Sequence, residues 1–263
     1  MLEPLRLALR RHSLARNGRS AVQLAEPQEQ VSRQIAVRRC EQPVQRSYRE
    51  IGYCISKRAL DVLVALFVLI VFVPLFLLIA LIIRLDSPGP VIFRQVRVGY
   101  QGRPFTLYKF RTMYHGSSEA LHRAAIARYI RGEAIGRAGS EQLSHIRFKL
   151  VYDPRVTRAG RWLRRWSLDE LPQFINILRG DMTLVGPRPA LPYEVEHYTA
   201  YEMQRFQVRP GLTGIWQVYG RSRVPFAEMI EMDLVYIRQR CLLLDLKLLW
   251  LTIGAVLLQR GAV

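Results

Sequence analysis

VLVALFVLIVFVPLFLLIALII, residues 62–83, carries no charge and a single proline, Pro74. A straight helix rises ~1.5 Å per residue, so this run would cover roughly 33 Å, enough to cross a bilayer core of ~30 Å. Pro74 sits just past its middle, where it removes a backbone hydrogen bond and bends or breaks the helix. Both flanks are basic: Lys57 and Arg58 before it, Arg84, Arg94 and Arg97 after it. Basic flanks favour the cytoplasm, so a hairpin that enters, breaks at Pro74 and returns fits the charges. One Pro-kinked span with the N-terminal tail outside is the alternative. The residues leave both open.

The 263-residue chain has net charge +18, 50% hydrophobic residues and mean hydropathy +0.03. This excludes a wholly disordered chain and a polytopic membrane protein, which would need several long apolar runs. The charge points to an anionic partner: nucleic acid, a phosphorylated substrate or an acidic membrane surface. Cys40, Cys54 and Cys241 form no CxxC pair, and the five histidines show no HxxxH or HxH spacing. A disulfide framework, a Cys zinc site and a His metal site are therefore unsupported.

Residues 1–56 read as a basic, flexible tail without the apolar core of a secretory signal. Leu2 to Leu14 could form a short amphipathic helix. Residues 57–85 form the membrane segment, and 86–263 the cytoplasmic domain. In the latter, runs 91–98 and 105–113, joined through Gly99–Pro104, predict a β-hairpin. Phe105, Leu107, Lys109 and Arg111 share one face there, which brings two cations together. Residues 114–150 read as a helical insert. In DPRVTRAGRWLRRW, residues 153–166, threefold and fourfold spacing gathers arginines on one helical face and Trp162, Leu163 and Trp166 on another. Such a helix suits a membrane interface or a phosphate-rich ligand, and also fits a plain solvated face. Cys241 to Leu258 is apolar but interrupted by Asp245 and Lys247. It is too short to span, and reads as a helix buried in the domain or lying in the membrane surface.

Three segments could carry chemistry. Asp169 and Glu170, in WSLDELPQ, stand beside Arg164 and Arg165. Cations keep carboxylates ionised, and an ionised Asp can attack phosphorus or bind Mg²⁺. The same residues also read as a helix start, with Ser167 as N-cap and Glu170 at the capping-box position. Gly186-Pro187-Arg188-Pro189 holds a guanidinium between rigid turn-formers, ready for a phosphate. In VRPGLTGIWQVYGRSR, Gly211, Gly214 and Gly220 permit close approach, Arg209, Arg221 and Arg223 supply cations, and Trp216 and Tyr219 could stack on a base.

KRALDVLVAL, LDSPGPVIFRQ, LYKFRTM, DPRVTRAGRWLRRWSLDELPQFINILRGDMTLVGPRP and VRPGLTGIWQVYGR, in this order, closely resemble the bacterial sugar transferases. These are monotopic phosphoglycosyl transferases, also called polyprenyl-phosphate hexose-1-phosphate transferases. The resemblance runs from Lys57 to about Arg260 and favours the compact form of the family. It implies an α+β, mainly helical monotopic membrane protein with a re-entrant helix-break-helix, a small β-hairpin and interfacial amphipathic helices. The implied reaction moves a sugar-1-phosphate from a nucleotide-diphosphate sugar, UDP-hexose by family habit, to polyprenyl (undecaprenyl) phosphate. This is the initiating step of exopolysaccharide, capsule or O-antigen synthesis, at the cytoplasmic face of the bacterial inner membrane. By motif, Asp169 is the nucleophile and an Mg²⁺ contact, and Glu170 its partner. Lys109, Arg111, Arg164, Arg188, Arg209 and Arg221 are candidate phosphate or nucleotide contacts. In the family a Ser-Pro pair marks the break; here the pair is Val73-Pro74. The expected partners are the nucleotide sugar, polyprenyl phosphate, membrane lipids and, as a homodimer, a second copy, with no nucleic acid. The rival readings are a membrane-tethered basic nucleic-acid-binding protein and a non-catalytic assembly protein.

Overall fold

A computed structural model describes residues 48–117, 120–131, 153–220 and 224–257. The predicted helix Leu2–Leu14 and most of the basic tail lie outside the described residues. What is described of residues 1–56 is helical: α1 (Tyr48–Val71) begins nine residues before Lys57 and runs into the apolar stretch. α2 (Val73–Asp86) follows after a one-residue break at Phe72, with Pro74 in its first turn. Proline is tolerated there because the first-turn N–H groups have no intrahelical acceptor. The helix axes bend by 62° at this point. Among the described residues no single helix is long and apolar enough to cross a membrane, whereas this bent pair taken together is, by length and composition.

The pair is fastened to the rest of the chain at both ends. Near the start of α1, Lys57 Nζ donates to Val185 O at 2.9 Å, and Arg58 donates to Ile177 O and Leu178 O at 2.6 and 2.8 Å. Asp61, buried, accepts from Thr183 Oγ1 at 2.6 Å and Leu184 N at 2.9 Å. At the other end Ile79 and Ile83 of α2 pack with Phe110 and Leu163, and the Phe76 and Phe110 rings lie 5.6 Å apart. The outward faces are apolar and exposed, including Leu63, Phe67 and Ile70 on α1 and Leu77, Leu78 and Leu81 on α2. Apolar surface on this scale calls for a cover.

Ser87 is extended, as the residue before a proline should be, and ends α2. The predicted hairpin is present: β1 (Ile92–Val98) pairs antiparallel with β2 (Pro104–Phe110), from Ile92↔Phe110 to Val98↔Pro104. β2 stops at Phe110, short of the expected end, because Arg111 turns inward. Its guanidinium donates to Pro88 O, Ser87 O and Ser87 Oγ at 2.5, 2.6 and 3.0 Å. Gly89, at φ 120°, leaves the room; a Cβ there would stand 2.1 Å from Arg111 Nη1.

α3 (Ala120–Ile130) is the described part of the insert that is helical. α4 (Arg158–Arg165) begins at Thr157, whose hydroxyl accepts from Gly160 N at 2.9 Å. It is shorter than expected, since Asp153 and Arg155 form an ion pair before it. Its apolar residues do not share a face: Leu163 is fully buried, whereas Trp162 is 45% exposed. After a 3-10 turn (Leu168–Glu170) comes α5 (Gln173–Arg179), closed by Gly180 at φ 84°. β3 (Thr183–Val185), α6 (Pro192–Val195), a second 3-10 segment (Glu202–Gln207) and β4 (Gly211–Thr213) follow, with β3 and β4 parallel. A π-turn (Trp216–Gly220) leads towards α7 (Phe226–Gln239) and α8 (Leu242–Leu257). The fold is thus α+β and mainly helical, with two small sheets. On α8, Asp245 and Leu248 face inward, and Leu243, Leu246, Trp250 and Ile253 are exposed.

Candidate active site

The chain reverses sharply between α4 and α5. Ser167 adopts the left-handed conformation, φ 55°, and its side chain makes no capping bond. The helix-start reading of Ser167 is therefore replaced by a tight turn that presents Asp169 and Glu170 half-buried on the 3-10 segment. Leu168 and Leu171 bracket the dyad and pack against the cluster formed by Ile79, Ile83, Phe110 and Leu163. The two carboxylates thus adjoin side chains that pack on the cluster α2 shares with β2 and α4.

β2 supplies the cation. Lys109 Nζ lies 2.8 Å from Glu170 Oε1. Both side chains are partly exposed, at 25% and 38%, so the pair contributes at most ~1 kcal/mol to stability and serves chiefly to orient. Arg164, in the last turn of α4, donates from Nε to Thr112 Oγ1 at 2.9 Å. Burial pulls its guanidinium below the usual value, and the neighbouring carboxylates of Asp169 and Asp153 oppose that shift. α4 approaches Thr112 closely because Gly160 has no Cβ; one would stand 2.1 Å from Thr112 O. Lys109, Arg164, Asp169 and Glu170 are therefore brought together.

The remaining candidates separate. The Arg188 guanidinium lies 5.7 Å from the buried Trp216 ring, so that ring face is already taken and Trp216 is not open to a base as expected. Buried Arg97 lies within electrostatic reach of both Arg188 and, more weakly, Glu170. Arg209 is exposed, 5.9 Å over the Tyr100 ring. Arg111 holds carbonyls at the end of α2 instead of facing the dyad. Arg221 and Arg223 lie outside the described residues. Gly211 and Gly214 pack against the backbone of Gly186, where a Cβ would meet Gly186 N at 2.0 Å or Gly186 O at 2.4 Å. Their missing side chains thus serve contact within the protein, not ligand approach.

Several residues that frame the site gave no signal of it in the sequence. Asn176, fully buried, accepts from Tyr108 N at 3.1 Å and donates to Thr106 O at 2.7 Å, locking β2 onto α5. Thr112 and Asp61 are of the same kind. Their partners lie 52 and 122 or more residues away, beyond any local period. Metal fit rests on the donor set. No group of three or more His, Cys, Asp or Glu residues that could hold an ion occurs among the described residues. Mg²⁺ commonly binds through one or two carboxylates plus substrate phosphates and waters, and adjacent Asp169 and Glu170 meet that requirement.

Residues 52–259 match the family described as bacterial sugar transferase. The exopolysaccharide production protein ExoY of Rhizobium meliloti is 41% identical over 209 residues, covering 79% of this chain and 88% of its own. The undecaprenyl-phosphate galactose phosphotransferase of Salmonella typhimurium is 38% identical over 206 residues, 78% of this chain and 41% of its own. The undecaprenyl-phosphate glucose phosphotransferase of Komagataeibacter xylinus is 38% identical over 223 residues, 79% of this chain and 37% of its own.

Proposed function

The chain belongs to the bacterial sugar transferase family, and from that premise we propose that it moves a sugar-1-phosphate from a nucleotide-diphosphate sugar to undecaprenyl phosphate through Asp169. It is a transferase of the undecaprenyl-phosphate sugar phosphotransferase type. The observation that carries the mechanism is the placing of the dyad: two carboxylates among Lys109 and Arg164, on a turn whose flanking leucines pack on the cluster that α2 shares with Phe110 and Leu163.

In the first step an Asp169 carboxylate oxygen attacks the sugar-bearing phosphorus of the donor. A new Asp–O–P bond forms, the bond to the bridging oxygen breaks, and nucleoside monophosphate leaves with the electron pair. In the second step a phosphate oxygen of the lipid attacks the same phosphorus. The Asp–O–P bond breaks, the carboxylate is restored, and polyprenyl-diphosphate-sugar is released. Lys109 holds Glu170 beside the nucleophile, and Arg164 contributes positive charge towards the phosphoryl oxygens. Arg188 holds a phosphate of the donor from its loop. Asp169, with Glu170, would hold Mg²⁺, which neutralises phosphate charge when bound. A covalent route lets a water-soluble donor and a lipid acceptor use one site in turn.

The bent helix pair supports a re-entrant, monotopic seat in the membrane. Lys57, Arg58 and Asp61 at its start and Ile79 and Ile83 near its end are held by one body, so the chain enters and leaves on the same side. With basic flanks this side is cytoplasmic. The exposed apolar face of α8, close to α1 through the bond from Lys57 to Asp245, suits the lipid boundary.

Incubation with labelled UDP-sugar, Mg²⁺ and undecaprenyl phosphate tests the reading. Label passes to lipid, and omission of the lipid leaves a protein-bound phosphosugar. D169N abolishes both. Transfer to lipid at the full rate in D169N would remove the covalent mechanism.

A further inference from the structure

Arg188 stands on a loop whose backbone is gripped from behind by two further guanidinium groups. Arg97, at the end of β1 and 6% exposed, donates from Nη1 to Pro189 O at 3.1 Å, with its other nitrogens on Gln95 Oε1. Arg205, 2% exposed, donates from Nη2 to Arg188 O at 2.9 Å. The next carbonyl, Ala190 O, accepts from Val98 N at 2.9 Å. Three successive carbonyls, 188 to 190, are thereby fixed by β1 and the Glu202–Gln207 segment.

At Arg97 this arrangement works against stability. Burying a cation is expensive, and here two are buried beside a third. Asp233, 2.6 Å from Arg205, offsets that cation, whereas Arg97 has no ion pair among the described residues and is acted on by Arg188 more strongly than by the Glu194 and Glu170 carboxylates. A packed apolar residue would fill the Arg97 position without repelling Arg188. Retaining a like-charged neighbour makes physical sense where an anion is to be bound, because the anion relieves the repulsion and meets a preset donor.

We propose that Arg97 is a positioning residue for Arg188, acting with Arg205 to hold the Gly186–Pro189 loop so that the Arg188 guanidinium meets a donor phosphate without reorganising. Burial and the nearby Arg188 charge lower the Arg97 pKa to about 10, consistent with a cation held under repulsion. The inference rests on the reading of Arg188 as a phosphate contact.

The test uses the full chain in detergent with its lipid acceptor, and variants R97Q, R97K, R188A and R97Q/R188A. The donor KM and kcat are measured separately, with thermal midpoints alongside. R97Q is expected to raise the donor KM ~10-fold, the equivalent of one charge-assisted hydrogen bond, with kcat changed less than about threefold. R97K recovers most of that loss, and the double variant is no worse than R188A alone. Additive losses in the double variant, or a raised KM in R188A with an unchanged KM in R97Q, would overturn the clamp alone. An unchanged donor KM in R188A would overturn the phosphate-contact reading and the clamp with it. Should R97Q fail to fold, Q95A, which releases Arg97 Nε and Nη2, decides: a raised donor KM supports the clamp, and a lowered thermal midpoint with an unaltered donor KM marks Arg97 as merely structural and overturns the proposal.

Discussion

Lys57 and Asp245, 188 residues apart, meet at 2.8 Å in a nearly dry environment, their side chains 16% and 1% exposed. The same Asp245 accepts from Tyr53 Oη and Tyr236 Oη, and Tyr236 and Lys57 both reach Val185 O. One carboxylate thus joins α1, α7, α8 and the last carbonyl of β3. Removing one partner strands the other charge, so K57M is expected to lose roughly 3–5 kcal/mol in chemical denaturation. K57M/D245L should recover much of it. A loss in the double variant equal to the sum of the two single losses would show that the charges are not coupled.

Thr112 carries no charge, yet it fixes Arg164 beside Asp169. T112V keeps the shape and removes the acceptor. The unpaired Nε costs ~1–3 kcal/mol, expected mainly as lost turnover, about tenfold in kcat or more, since Arg164 is then free to rotate away. T112S should restore it. Steady-state kinetics of the two variants, with thermal midpoints, checks this.

Gly211 and Gly52 make opposite forecasts for the same substitution. A Cβ on Gly211 would stand 2.0 Å from Gly186 N, a backbone atom that cannot swing aside. G211A is expected to destabilise by ~3 kcal/mol or more and to part β3 from β4. A Cβ on Gly52, in α1, meets nothing within 4 Å. G52A should stabilise by ~0.5–1 kcal/mol through helix propensity alone. Denaturation midpoints for both variants decide.

The Asp153 carboxylate is held below its usual pKa by Arg155, which donates from Nε at 2.8 Å, Nη2 at 2.7 Å and its backbone N at 3.0 Å. A lowered native pKa means that the unfolded chain binds the proton more tightly. The stabilisation is therefore complete above the unfolded value of ~3.9 and is lost as pH falls through the native one. D153N should lose ~1–2 kcal/mol at neutral pH, and its difference from wild type should shrink below about pH 4. A difference independent of pH would assign the loss to packing instead.

Local pattern made part of this molecule readable. Alternation and the Gly99–Pro104 turn gave the hairpin, uninterrupted apolarity gave α1 and α2, and motif order gave the Lys109, Arg164 and Asp169 grouping. What stayed hidden depends on partners far along the chain. Lys57 and Arg58 read as charges flanking an apolar run, but their acceptors belong to α5, β3 and α8. Glycines 211 and 214 announced that a Cβ is not tolerated, without saying whether a ligand or Gly186 lies opposite. Arg97 read as a basic flank of the apolar run and Arg111 as a candidate phosphate contact, because nothing local marks an arginine that will be buried against carbonyls.

With both limbs of the apolar pair stapled to one body, biosynthesis acquires an order of events. Contacts from Lys57, Arg58 and Asp61 to Val185, Ile177 and Leu184 need strands and helices that the ribosome delivers more than a hundred residues later. On the re-entrant reading the wedge enters the lipid first and is locked only when the downstream half folds over its base. A nascent chain that had threaded through to the far side could not make these bonds, so completed folding itself acts as the proofreader of orientation.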